Sequence, residues 1–331
     1  MSKNDVGEIV DRMINLDMTG RGVIPPLYEA ARSEAKEPLT QLAAKRIVEA
    51  MGKPESHALI LTGFSVNPER VSETDGPVGA AALARMLDRA FNCKPSIVIE
   101  RKFFPPMSAC LRAAGLHTVE SVDDLKRGRH AVGLLDFPLG DKEALDEANS
   151  LIDRLRPVLV ITIERCGWNE RHVYHNMRGF DINEFTAKED HLVEIAKQRK
   201  ILTVGIGDGG NEIGMGRILD AVKKHVPYGS KCQCPCGAGL GAAVKTDVLV
   251  TANVSNWAAT GISACIGTAL KNISLMHDGA MEERMIEACT LAGSIDGVSG
   301  YAEPSVDGFP AHTNASLVDV IRGAALRRIE E

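Results

Sequence analysis

Six short apolar runs, rich in Val, Ile and Leu, punctuate the chain at residues 58–62, 96–99, 131–135, 158–163, 201–204 and 248–251. Most are apolar at successive positions, the pattern of strands covered on both faces. Stretches with apolar residues at helical spacing lie between them, at 77–91, 142–155 and 184–199. The first opens on Pro77, where a missing N–H costs nothing. Strands alternating with helices predict right-handed crossovers and an α/β fold with a mostly parallel open sheet flanked by helices. Residues 1–51 read as a helical N-terminal extension in which Pro25-Pro26 marks a break. Residues 52–331 read as one α/β catalytic domain, closed by a helix over 314–330.

Ligands of open parallel sheets bind beyond the carboxyl ends of the strands. Unusual residues recur at those ends: Gly63-Phe64, Asp136-Phe137-Pro138, Glu164-Arg165-Cys166-Gly167, the segment 205–212 and Asn253-Val254-Ser255-Asn256-Trp257. Helix capping and ordinary loop polarity are the competing explanation. Gly205, Gly207 and Gly210 satisfy a dinucleotide-binding spacing. That reading fails because Asp208 would repel a pyrophosphate and no acidic residue ends a second strand about 20 residues on. An acidic Gly-rich turn suits a hard cation better, so Asp208 and Glu212, four apart at an expected helix start, are candidate ligands for Mg²⁺ or Mn²⁺. The amides of Gly209 and Gly210 could bind an anion, and Asp208 or Asn211 could instead cap the helix.

In Glu73-Thr74-Asp75-Gly76-Pro77, Thr74 or Asp75 would cap the helix beginning at Pro77, with Asp75 a further candidate metal ligand. Glu73 is not needed for the cap and is free to act as a base or ligand. A long polar loop follows Glu164 and carries Asn169, His175, Asn176 and Arg178. His175 is the natural acid–base group by intrinsic pKa, with Glu73 and Glu164 as further catalytic candidates. Arg165 or Arg178 could hold a substrate carboxylate, and Asn169, Asn176, Asn211 and Asn256 could orient a substrate. For a single His or Arg, a structural hydrogen bond is the plainer role. Cys232, Cys234 and Cys236 alternate and could bind a soft metal with one more ligand. The spacing lacks the usual C-x₂-C form and no second pair matches it, so a tight Gly-rich loop with free thiols is the favoured reading.

Composition narrows the classes. The 331 residues are 44% hydrophobic and 25% charged, an ordinary globular balance, with aromatics at only 4%. The core must therefore be aliphatic. A net charge of -6 and the lack of a basic run argue against nucleic acid. No apolar run approaches the roughly 20 residues of a membrane span. The start, Met1-Ser2-Lys3-Asn4-Asp5, is polar and gives no secretory signal. Most of the eight cysteines are scattered singly, which predicts free thiols in a cytoplasmic enzyme. A small anionic substrate is the expected partner, and homo-oligomerisation stays open.

Several of these segments together resemble the D-glutamate cyclase C-terminal-domain family. They are Leu61-Thr62-Gly63-Phe64, Glu73-Thr74-Asp75-Gly76-Pro77-Val78-Gly79-Ala80, Glu164-Arg165-Cys166-Gly167-Trp168-Asn169, Tyr174-His175-Asn176-Met177-Arg178-Gly179, the segment 205–216 and Asn253-Val254-Ser255-Asn256-Trp257. The resemblance runs from about Pro38 to the C-terminus. It implies an α/β domain with a divalent metal in the cleft and a lyase that converts D-glutamate to 5-oxo-D-proline and water. In the family's namesake a hydro-lyase-like domain precedes this one, and this chain lacks it. A metal-dependent hydrolase, such as a phosphatase, and a ligand-binding protein without turnover are the alternatives.

Overall fold

The apolar runs pair into one sheet because strands without a polar face must be covered on both sides. A computed structural model describes residues 6–66, 68 and 70–330, so the polar stretch 1–5 lies outside the described residues. The strands are β1 (His57–Leu61), β2 (Lys94–Val98), β3 (His117–Val119), β4 (Ala131–Leu135), β5 (Leu159–Ile163), β6 (Leu202–Gly207) and β7 (Val248–Thr251). They lie in the order β3-β4-β2-β1-β5-β6-β7, and every neighbouring pair is parallel. The expected mostly parallel open sheet is therefore present. Its seventh strand, β3, is the one the apolar pattern missed. It is a three-residue edge strand, partly exposed and polar at His117 and Thr118, so it carries no buried run.

Alternation along β1 sorts its side chains onto two faces. Leu59 and Leu61 join an apolar cluster with helices Asp141–Leu155 and Asp190–Gln198. Ala58 and Ile60 join a larger cluster with helices Pro77–Phe91 and Ser255–Ala269 and with the helices that precede β1. Helix Ser255–Ala269 is buried nearly all round, and its Ala and Gly residues let helices Leu39–Ala50, Pro77–Phe91 and Ala311–Glu330 pack against it. All eight cysteines are free. No helix among the described residues is long and apolar enough to cross a membrane.

Two local expectations are corrected. Pro25 and Pro26 do not break a helix but occupy the first turn of helix Ile24–Ala35, where proline fits. The stretch 184–199 starts its α-helix only at Asp190, after a 3₁₀ turn at Asn183–Phe185. Thr186 is extended, and the Ala187 amide donates to Glu100 Oε1 at 2.9 Å, which diverts the backbone from helix.

Arg165, expected to hold a substrate, instead lies beneath the loops that leave β1 and β5, with no exposed surface. Its guanidinium donates to both Glu100 oxygens at 2.8 and 3.0 Å and to the carbonyls of Gly63 at 2.8 Å and Ala187 at 3.0 Å. Its Nε lies 3.2 Å from Glu189 Oε2. Glu100 is held below the usual carboxylate range, because burial, which raises it, is outweighed by Arg165. Arg165→Met keeps much of the volume and removes the charge, leaving Glu100 and Glu189 buried without a counter-ion. A loss of about 3–5 kcal/mol in urea denaturation is expected. A variant as stable as the parent, with only its substrate KM raised, would restore Arg165 to the substrate.

Candidate active site

Connections after β1 run to β2, β3 and β4 on one side, and the chain then passes β1 to build β5, β6 and β7 on the other. Such a reversal opens a crevice between the carboxyl ends of β1 and β5. Glu164 is the first residue after β5 and Asp208 the first after β6, so both stand at that edge. Glu164 holds a left-handed φ of 42°, rare for a side chain that is not Gly or Asn. Its Oε2 accepts from the Ser255 hydroxyl at 2.6 Å. One oxygen from each of Glu164, Asp208 and Glu212 falls within 4.8 Å of the others, and the same holds for Asp75, Asp208 and Asp307. Asp208 belongs to both groups, so it stands at their junction.

The two helices behind the site are capped reciprocally. Asp75 does not cap the helix that begins at Pro77. Its Oδ1 and Oδ2 accept from the amides of Asn256 and Ser255, both at 2.8 Å, at the start of helix Ser255–Ala269. Asn256, expected to orient substrate, returns the favour: its Oδ1 accepts from the amides of Gly76 at 2.9 Å and Gly79 at 2.7 Å. Thr74, the other expected cap, donates its hydroxyl to the Ser305 carbonyl. Gly76 is required here, since its φ is 93° and a Cβ would lie 2.7 Å from Thr62 Oγ1 and 3.0 Å from Glu164 Cβ.

No helix starts between Asp208 and Glu212; a short 3₁₀ helix begins only at Met215. Glu212 folds its carboxylate onto its own loop instead. Oε1 accepts from the Gly209 amide at 2.7 Å and Oε2 from the Gly210 amide at 2.7 Å. These amides, expected to face an anion, are turned inward. Asn211 donates to the His175 carbonyl at 2.7 Å. Asn169 donates to the Gly239 carbonyl at 2.6 Å, and the Asn176 side chain accepts from the amides of Arg178 and Phe180. All three brace loops. His175 is fully buried, with Nδ1 facing the Val173 carbonyl at 3.1 Å and Nε2 facing the Cys234 thiol at 3.2 Å. Burial holds it below its ordinary value. Its ring partners are a carbonyl and a thiol, so it is not the cleft's general base.

Glu73, Glu164 and Asp208 line a cleft of about 420 Å³ together with Arg21, Phe64, Met177 and Asp307. It adjoins a hollow of about 610 Å³ that shares Phe64, Glu73 and Met177 and reaches the exposed Arg178. The apolar pattern pointed to neither Arg21 nor Asp307. Arg21 pairs with Asp208 and donates to the Asn253 carbonyl at 3.0 Å, its loop shaped by Asp17, which accepts from the Arg21 and Gly22 amides. Gly20-Arg21-Gly22 between two helical stretches was the available signal. Asp307 sits on a two-residue hairpin turn with φ of 49°, followed by Gly308 at 79°. Asp-Gly is the favoured sequence for such a turn.

Burial and neighbouring carboxylates push Glu73 and Glu164 well above the usual range. Burial and Asp208 push Asp75 and Glu212 each to about 7, against the amides that bond them. In chelator-treated protein such groups hold protons that the unfolded chain has released, so they destabilise the fold as pH rises from about 4 to about 7. The urea midpoint is expected to decline across that window, less steeply in Glu73→Gln, with Mg²⁺ or Mn²⁺ restoring it. A parent and variant with identical pH slopes would show that the cluster does not titrate this way.

Comparison with known proteins agrees with the motifs. The human protein named D-glutamate cyclase, mitochondrial, is 29% identical over 303 residues, covering 80% of this chain and 45% of that relative. The chain thus spans less than half of the relative's length. The family model described as D-glutamate cyclase-like, C-terminal, matches residues 10–322. With nearly the whole fold and all of the site inside that match, the chain belongs to the D-glutamate cyclase-like C-terminal family.

Proposed function

We propose that this chain is a metal-dependent lyase that closes D-glutamate to 5-oxo-D-proline with release of water. The observation that carries the reading is the convergence of Glu73, Glu164 and Asp208 on a cleft sized for a small molecule, with Arg21 as their cationic neighbour. The donor set also fits a hard cation. It is all oxygen, closely spaced and mostly buried, and its carboxyls are raised first by burial and then by one another's charge, an excess that a cation would offset. Asp208, common to both carboxylate groups, would hold it, with Asp75 and Asp307 on one side or the remaining lone pairs of Glu212 on the other. A bound Mg²⁺ or Mn²⁺ supplies polarisation of the substrate's γ-carboxyl and charge for the developing oxyanion.

Ring closure joins the α-amine nitrogen to the γ-carboxyl carbon and expels one carboxyl oxygen. Two protons leave the ammonium group and depart on that oxygen as water, so no co-reactant is consumed. Glu73 is suited to carry them, since its Oε1 is buried with no hydrogen-bond partner among the described residues. Burial and then the neighbouring carboxylates hold its carboxyl well above the usual range, which strengthens its hold on a proton. Glu164, held by Ser255, is the second acid–base group. Arg21 and Arg178 take the α-carboxylate in place of Arg165. Phe64 and Met177 close the apolar wall, and the enclosure keeps the glutamate chain folded, which supplies proximity.

The test incubates the full chain and Mg²⁺ or Mn²⁺ with D-glutamate, L-glutamate and small phosphate esters, with chiral separation of products. 5-Oxoproline from D-glutamate is expected. Asp208→Asn preserves shape and should lower kcat/KM by about 100-fold or more with an unchanged circular dichroism spectrum. Phosphate release without 5-oxoproline would turn the reading to a metal-dependent hydrolase. Tight ligand binding with no product would turn it to a sensor.

A further inference from the structure

The segment 232–236 alternates three thiols, and the fold brings a fourth donor to them from 57 or more residues upstream. Cys232 Sγ lies 3.5 Å from Cys234 Sγ and 3.3 Å from Cys236 Sγ. His175 Nε2 lies 3.2 Å from Cys234 Sγ and 3.6 Å from Cys236 Sγ. All four atoms fall within 4.8 Å of one another. Tetrahedral zinc, with Zn–S about 2.3 Å and Zn–N about 2.0 Å, sets sulfurs about 3.8 Å apart and nitrogen about 3.5 Å from sulfur. The thiols and imidazole therefore already approach the spacing of a closed tetrahedral shell.

Several hydrogen bonds orient these groups for a metal. The Val173 carbonyl at 3.1 Å takes the Nδ1 proton of a neutral imidazole and leaves the Nε2 lone pair facing the sulfurs. The Cys236 amide donates to Cys234 Sγ and the Asn169 side chain to Cys236 Sγ, each at 3.4 Å, contacts that stabilise thiolates. Three thiolates and one imidazole form a soft set that selects zinc over the Mg²⁺ or Mn²⁺ suited to the carboxylate cleft.

We propose that Cys232, Cys234, Cys236 and His175 bind one zinc ion as a closed structural site that fastens the loop after Trp168 to the loop after Pro227. Binding releases the thiol protons to solvent and involves no change of oxidation state. The same two loops are also joined by the Gln233 amide donating to the Gly179 carbonyl at 2.9 Å and the Gln233 side chain to the Arg178 carbonyl at 2.7 Å. Met177 and Arg178, next in the chain, line the cleft and the adjoining hollow. The zinc thus acts as a clasp on the cleft wall, outside the reacting atoms, and its assignment does not depend on the cyclase reading.

The deciding measurement is metal analysis of the full chain purified under reducing conditions, followed by cobalt(II) exchange. About one zinc per chain is expected, retained under dialysis that strips Mg²⁺ and Mn²⁺. Cobalt should give intense tetrahedral visible bands and a thiolate-to-metal charge-transfer band, which oxygen ligands cannot produce. Cys234→Ser should weaken zinc binding by more than the roughly 10–100-fold typical of losing an outer partner. If that variant fails to fold, the parent's cobalt spectrum still decides. Metal-free protein with freely reacting thiols, a disulfide within 232–236, or cobalt bound without the charge-transfer band would overturn the assignment.

Discussion

Like charges forced together out of water are the constraint around which this molecule is arranged. Glu73, Asp75, Glu164, Asp208 and Glu212 are all buried at one sheet edge, and Asp307 leans on them half-buried. Mutual repulsion in such a place would drive the loops apart unless something held each carboxylate. The fold answers with donors: backbone amides at Asp75 and Glu212, a hydroxyl at Glu164 and the Arg21 guanidinium at Asp208. What those donors leave uncompensated is a standing demand for positive charge inside the cleft. That demand is the physical ground on which the cation-assisted reaction is proposed.

Much of this was legible in the amino-acid pattern because a parallel sheet concentrates chemistry at one edge. Apolar runs located six strands, and the polar segments following several of them supplied the candidates. Glu164 and Asp208 were found that way, and both line the cleft. The direction of a side chain was not legible. Arg165 sits beside Glu164 in the chain, yet it points down to Glu100 and Glu189 while its neighbour reaches the cleft. Asp75 looked like a ligand or a local cap and Asn256 like a substrate contact, and each caps the other's helix, a pairing across 181 residues. Arg21 and Asp208 are 187 residues apart, and no local spacing connects them.

A division of labour follows between hard and soft donors. Oxygen ligands gather where the strands end, and sulfur and imidazole gather in the loops that wall the cleft. His175 illustrates how residue type alone misleads: imidazole is the usual proton carrier near neutral pH, but here thiols occupy the space around its ring. The two donor sets share a wall, because Asn211 beside Glu212 donates to the His175 carbonyl. Displacement of one loop would thus be felt at the other.

The pairing of Arg21 with Asp208, and the nearness of Asp307 to both, has a consequence for biosynthesis. Synthesis makes Arg21 well before the strands and Asp307 only after all seven of them. The acidic loops can therefore close fully only after Asp307 has been made, once the intervening strands are available. Contacts of such sequence separation form late because their loop-closure entropy must be met first. Closure of the cluster then waits on synthesis as far as Asp307, and a chain extended only past Thr251 would carry the sheet without the closed acidic centre.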